Sequence, residues 1–267
     1  MAVSMSDLRS TFGGGVGASG TVSLSQFYRG GSLVPDVSTN NSIATGSAGT
    51  TIRLGSFSNR TNLVNVSYQL IGGGGGGGWA NQELNSQQNG IPSTAGSTTS
   101  ISGAFSVSAA GGGGGAGGTG GQTAGTAGAN SVWGTGGAGG AIQGGGDQKG
   151  GDATGYGAGG GGGGGDTGAT SGNPLFSDTG GWRGDGGSAG TYVTGSTNVA
   201  YKSSISITIG TAGSGGYAQG YADTSSGGGW SVWSSHGGDG SPGRVYITRN
   251  YNTPINNDFT SSGSLTI

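Results

Sequence analysis

Nine residues of this chain carry side chains suited to gripping another surface: Trp133, Tyr156, Phe176, Trp182, Tyr217, Tyr221, Trp230, Trp233 and His236. They stand among Gly, Ser, Asn and Thr. Tryptophan and tyrosine bury large area at low rotamer cost and dominate binding hot spots, and with Ser, Gly and Asn around them they have the composition of a paratope. The stretch from Tyr217 to His236, YAQGYADTSSGGGWSVWSSH, concentrates them most. A tryptophan beside a glycine tract has a second use, as a clamp filling space where segments meet, and residue type alone does not separate the two. Trp230 and Trp233, inside one long segment, favour contact.

Covalent chemistry finds little support. With one histidine and no cysteine, neither a His-rich nor a cysteine-based metal site can be assembled. Matches to G-x-G-x-x-G such as Gly155, Gly157 and Gly160 follow from glycine density and sit in no strand–turn–helix unit. Neither Lys149 nor Lys202 follows a glycine in a phosphate-loop pattern, and no serine stands on a nucleophile elbow. Arg183-Gly184-Asp185 is chance in this composition. The residues therefore predict no catalytic group, metal or cofactor. A pI near 5.1 with two lysines argues against nucleic acid, and no apolar run approaches the length that spans a bilayer.

The elements that must position the aromatics are unusual, because 72 of the 267 residues are glycine. The glycines cluster in tracts at 72–78, 111–121, 134–146, 155–165, 180–187, 210–216, 227–229 and 237–243, without the strict third-residue period of collagen. Period-two strand signals stand beside them: Val22 with Leu24, Val64 to Leu70, Ile101 to Val107, Ile205 to Ile209, and Val245 with Ile247. A single helical turn is expected near Ser6–Ser10. Strands run directly into tracts at Ile71–Gly72, Ala110–Gly111 and Ile209–Gly210, and out of one before Val245. That predicts a sheet at one end with glycine segments projecting from it.

Three residues per turn at about 3.1 Å rise, with N–H and C=O pointing sideways, is the conformation such tracts can hold, and only glycine lets these rods pack on all sides. Ordering costs about 1–2 kcal/mol per residue against about 0.5–1.5 kcal/mol per lateral hydrogen bond, so the ends need clamping. The expected fold is mostly irregular and β with little helix. A small β region would support a lattice of packed polyglycine II helices, among them Gly75, Gly113, Gly162 and Gly213, from which loops protrude. Solvated loops are the competing reading of the tracts.

In residues 1–60, Leu8, Phe12, Val22, Leu24, Phe27 and Tyr28 are apolar groups in a segment too short to bury them alone, which predicts a partner surface; packing on the neighbouring sheet is the alternative. Residues 61–250 then form the glycine-rich domain and 251–267 a C-terminal tail. Residues 72–243 hold eight acids against three bases, but aspartate in Gly-rich turns is ordinary turn chemistry.

The strand–polyglycine junctions YQLIGGGGGGG, ISITIGTAGSGG and GGDGSPGRVYIT, with the N-terminal LSQFYRGGSLVP, resemble the tip adhesins of T-even-like bacteriophage long tail fibres over nearly the whole chain. The resemblance implies an N-terminal region attached to the trimeric distal fibre protein, one adhesin per trimer. It also implies a distal domain whose loops bind a bacterial outer-membrane protein, with the chain at the fibre tip of the virion. Gly72–Gly78, Gly111–Gly115 and Gly159–Gly165 match the family's glycine motifs, and 79–100, 122–133, 166–179 and 217–236 its variable segments. A tail-fibre assembly chaperone absent from the particle is the alternative.

Overall fold

The structure, a computed structural model, describes residues 5–12, 24–46, 51–79, 89–117, 124–141, 148–164, 184–224 and 229–267. The protein is mostly β, with one α-helix among the described residues, α1 Met5–Phe12. In chain order the strands are β1 Leu63–Ile71, β2 Asn89–Ile91, β3 Thr99–Gly103, β4 Val107–Ala109, β5 Trp133–Thr135, β6 Gln148–Lys149, β7 Thr154–Tyr156, β8 Tyr192–Ala200, β9 Ser204–Thr208, β10 Tyr217–Thr224, β11 Gly229–His236, β12 Arg244–Arg249, β13 Ile255–Phe259 and β14 Gly263–Thr266.

Two four-stranded sheets, ordered β13-β12-β1-β8 and β14-β9-β3-β4, supply the main core. Period two explains it. Val64, Val66 and Leu70 of β1 join Val199, Val245 and Ile247 from their own sheet and Ile101, Ile205 and Ile207 from the other. Asn65, Ser67 and Gln69 stand at the opposite parity of β1, and Asn250 Nδ2 donates to Asn65 Oδ1 at 2.7 Å and to Ser67 Oγ at 3.0 Å. The run from Ile101 to Val107 is not one strand. Gly103 at φ +110° lies in a region side chains rarely adopt, and the chain reverses there so that Thr99–Ile101 pairs with Val107–Ala109. Residues 251–267 are built into both sheets, β13 against β12 and β14 against β9.

Beyond Ile71 the chain enters the glycine body, where segments that, apart from β6 at the start of one, have neither helix nor strand hydrogen-bond sideways to one another. Five run away from the sheets, 72–79, 110–117, 136–141, 157–164 and 210–216, and five run back, 92–98, 124–130, 148–153, 184–191 and 237–243. Their directions follow from the bonds. The N–H groups of Gly72, Gly75 and Gly78 go to the carbonyls of Thr191, Ser188 and Asp185, those of Gly73 and Gly76 to Ser97 and Thr94, and those of Gly74 and Gly77 to Ser241 and Gly238.

Each neighbour is thus met every third residue, and its numbering falls as the first segment's rises. The carbonyls of 73 and 76 accept from Gly112 and Gly115, those of 74 and 77 from Gly213 and Gly216, and those of 75 and 78 from Gly160 and Gly163, all rising together. Segment 72–78 is therefore ringed by six others. By the same accounting 157–164 is ringed by 72–78, 184–191, 237–243, 124–130, 136–141 and 148–153.

Burial follows this arrangement. Every residue of 72–78 and 157–164 is buried, and in the surrounding segments exposure recurs, as at Gly113 and Ala116 or Thr211 and Ser214. A Cβ built on Gly75, Gly162 or Gly213 would lie about 2 Å from a neighbouring carbonyl oxygen. Gly113 is a correction to the expectation that glycine is needed there: nothing lies within 4 Å of its Cβ position, because that third position faces outward.

The N-terminal segment has its own core, in which Leu8, Phe12, Phe27, Val34, Ile43 and Phe57 are buried together. Phe57 meets Phe12 and Phe27 edge-on at 5.7 and 6.2 Å. Buried Asn40 ties the segment, donating to the carbonyls of Pro35 and Thr61 and accepting from the Thr61 N–H. It docks on the sheets at the end opposite the glycine body: Val37 enters the main core, Tyr201 Oη donates to Gly31 O at 3.2 Å, and Asn252 Nδ2 donates to Asp36 Oδ1 at 2.6 Å.

Candidate functional site

The end of the glycine body away from the two sheets is described in part: residues 80–88, 118–123, 142–147, 165–183 and 225–228 lie outside the described ones, Phe176 and Trp182 among them. The described part is the hairpin of β10 and β11 with its flanks, in the sheet β2-β10-β11-β6.

The foot of this hairpin is anchored. Asn89–Ile91 pairs with Tyr217–Gln219, and Gln148–Lys149 pairs parallel with Ser235–His236. The Tyr217 and His236 rings lie 4.4 Å apart, and the His236 carbonyl accepts from Gly150 N–H. Trp79, at the end of the first glycine segment, closes the body beneath: a Cβ on Gly117 or Gly216 would come within 3.0 Å of its ring atoms. The ladder continues beyond its flanks, pairing Tyr221 with Val232 and Asp223 with Trp230. Strand alternation places positions 217, 221, 230 and 236 at one parity and Trp233, paired with Gly220, at the other. Beside the foot, Ile91 is 64 % exposed.

Trp133 and Tyr156, expected in the far loops, stand instead at the opposite end, where the glycine body meets the sheets. The physical reason is topological: β5 and β7 are joints between a returning and an outgoing segment, so they turn the chain on the sheet side. The two residues pair in register. The Arg244 guanidinium lies 5.2 Å from the Trp133 ring centroid and 4.8 Å from that of Tyr156, while Tyr192 meets Trp133 edge-on at 5.5 Å. Arg244 forks onto Asp258, Nε donating to Oδ1 at 2.8 Å and Nη2 to Oδ2. That hydrogen bond raises the Arg244 pKa and holds the Asp258 carboxyl below its ordinary value, against the opposing effect of burial. Trp133 is a clamp here, and Trp79 is its counterpart at the far end. Arg244 and Tyr192 are partners the residue types did not single out; the position of Arg244 at the exit of the last tract was the signal.

The N-terminal candidates divide. Leu8, Phe12 and Phe27 are 1 %, 2 % and 0 % exposed, which corrects their reading as an attachment surface: the segment closes its core with Val34, Ile43 and Phe57. Val22 lies outside the described residues. Leu24 opens a 3-10 helix, Leu24–Phe27, rather than the expected strand, and Tyr28 is half-buried.

Among the described residues no group of three or more His, Cys, Asp or Glu stands together, and no helix is long and apolar enough to cross a membrane. No family model, curated protein or solved structure matches the chain.

Proposed function

We propose that the chain is a tail-fibre tip adhesin, attached through its N-terminal side to a trimeric distal fibre protein and recognising a bacterial outer-membrane protein with its far loops. The glycine body is read as packed polyglycine II helices. The support is that its lateral hydrogen bonds recur every third residue toward six neighbours, the bonding that three residues per turn and no internal hydrogen bonds produce. The observation that carries the adhesive reading is the hairpin of β10 and β11, Tyr- and Trp-bearing in sequence, which stands at the end of the glycine body remote from the N-terminal segment. Loops held by a rigid body lose little entropy on docking, and several fibres on one particle would turn modest affinity into firm adhesion. The protein works by binding, without catalysis.

The test is binding of the purified protein, with its fibre partner, to intact bacteria each lacking one outer-membrane protein. Loss on a single deletion strain is expected. Binding to none of the strains, together with absence of the chain from purified virions, would favour the assembly-chaperone alternative.

A further inference from the structure

The end of the molecule opposite the glycine body carries apolar surface and charge that the fold leaves unused. β1 and β13 begin there and β8 ends there, with the N-terminal segment docked beside them. Among the described residues five large hydrophobic side chains are exposed, and three of them stand at this end: Leu54, Leu63 and Ile255, at 40 %, 39 % and 42 %. They come from elements far apart in sequence, so the surface exists only in the folded chain. Leu54 is presented rigidly. It opens a 3-10 turn, Leu54–Phe57, whose last residue is buried against Phe12 and Phe27. The Ser56 carbonyl accepts from Ser42 Oγ at 2.9 Å and from Arg60 Nε at 3.2 Å, so the turn is fixed before anything docks.

The charge left free at this end has one sign. Arg29 pairs with Asp36 at 3.1 Å, Arg60 donates to the carbonyls of Ser56 and Thr39, and Arg249 donates to Thr266 O and lies over the Tyr251 ring. Asp7 and Arg9 are both engaged. Arg53 and Lys202 are exposed, and their side chains have no partner among the described residues. Lys202, counted with the glycine-rich stretch in sequence, is brought here by the turn after β8, whose Ala200 stands opposite Leu63. Exposed apolar groups together with free cations suit a partner surface that has apolar recesses and carboxylates at their rim. We infer that this composite end is the face that seats on the distal fibre protein, with Leu54, Leu63 and Ile255 entering its recesses and Arg53 and Lys202 pairing its carboxylates. The inference rests on the adhesin reading. It adds that the two sheets, and not the N-terminal segment alone, make the attachment.

The experiment measures attachment of the purified full chain to the purified trimeric fibre protein at low and at high salt. Arg53→Glu/Lys202→Glu should weaken attachment by at least about tenfold at low salt, and by less at high salt, where exposed charges are screened. Leu63→Ser/Ile255→Ser should weaken it at both. Lys149→Glu, the same reversal on the glycine body, should change nothing. Should the double serine variant melt early, Leu54→Ser serves in its place. Folded variants that attach as the wild type does, or a loss with Lys149→Glu equal to that of the double reversal, overturn the face while the adhesin reading stands. A wild-type chain that attaches to no fibre protein removes that reading and the face with it. Binding to vesicles of anionic lipid that the double reversal abolishes, while fibre attachment persists, overturns the face in favour of an anionic membrane surface.

Discussion

Gly75→Ala and Gly113→Ala place the same methyl group on neighbouring segments and should have opposite consequences. A Cβ on Gly75 would lie 2.0 Å from Gly113 O and 2.4 Å from Gly113 C, against the 3.0 Å that such atoms essentially never breach. Segment 110–117 would have to withdraw by at least 1 Å. It is held there by Gly112 N–H to Gly73 O and Gly115 N–H to Gly76 O, both 2.8 Å, and by Ser188 N–H to Gly113 O at 2.9 Å.

Losing these bonds forfeits about 1 kcal/mol each and strands buried donors or acceptors at about 1–3 kcal/mol apiece. The total, about 4–8 kcal/mol, rivals the whole stability of an ordinary domain. Gly113→Ala meets nothing within 4 Å and restricts only the unfolded chain, so it should be neutral or stabilising by up to about 1 kcal/mol. Thermal unfolding followed by circular dichroism reads both. At about 2–4 °C per kcal/mol, Gly75→Ala should lower the melting temperature by more than about 10 °C or abolish the transition. Equal melting of the two variants would refute the close approach and the orientation of the third positions together.

Other outcomes follow from the same geometry. Arg244→Lys keeps the charge but loses the fork on Asp258 and the planar stack on Trp133 and Tyr156, and should cost about 1–2 kcal/mol in denaturant unfolding. Because Asp258 is held below its ordinary pKa in the fold, its contribution is complete above about pH 4 and lost as the pH falls through the lower folded value. Asp258→Asn should flatten that acid limb in a melting-temperature profile. Phe57→Ala removes the ring between Phe12 and Phe27 and should cost about 3–5 kcal/mol, read as early proteolysis of the N-terminal segment. Trp230→Ala and Trp233→Ala should weaken adsorption to cells while fibre attachment persists; unchanged adsorption in both and in the double variant would remove the hairpin from the site.

The strands of the first core were legible because each is half-buried: Val64 to Leu70, Ile205 with Ile207, and Val245 with Ile247 alternate in the sequence as they do in burial. Gly103 hid a reversal inside an alternating run, since a strand interior and a tight turn both accept glycine. Leu8, Phe12 and Phe27 were misjudged because their burial depends on Ile43 and Phe57, partners distant in sequence with no periodic relation to them.

For the aromatics, residue type was legible and position was not. Trp133 and Trp79 stand beside tracts of similar composition, and only the direction in which each tract runs decides which end of the body they close. The tracts held a finer signal than glycine density. Gly184, Gly187 and Gly190, like Gly210, Gly213 and Gly216, recur every third residue, while 72–78 is glycine throughout. The spacing marks where glycine is needed: at the rim one position in three faces outward and tolerates a side chain, as at Ala116, Thr211 and Ser214, while in 72–78 every position is covered.

That recurrence gives each segment a phase as well as a length. One or two residues inserted after Gly237 would rotate Asp239 and Pro242, now exposed, toward the carbonyls that Gly238 and Gly240 face. Three residues would restore every side to its neighbour and displace only the far connection outward by one turn. Segments of this kind can therefore lengthen or shorten without repacking only in steps of three, a reading frame written in the backbone rather than in the gene.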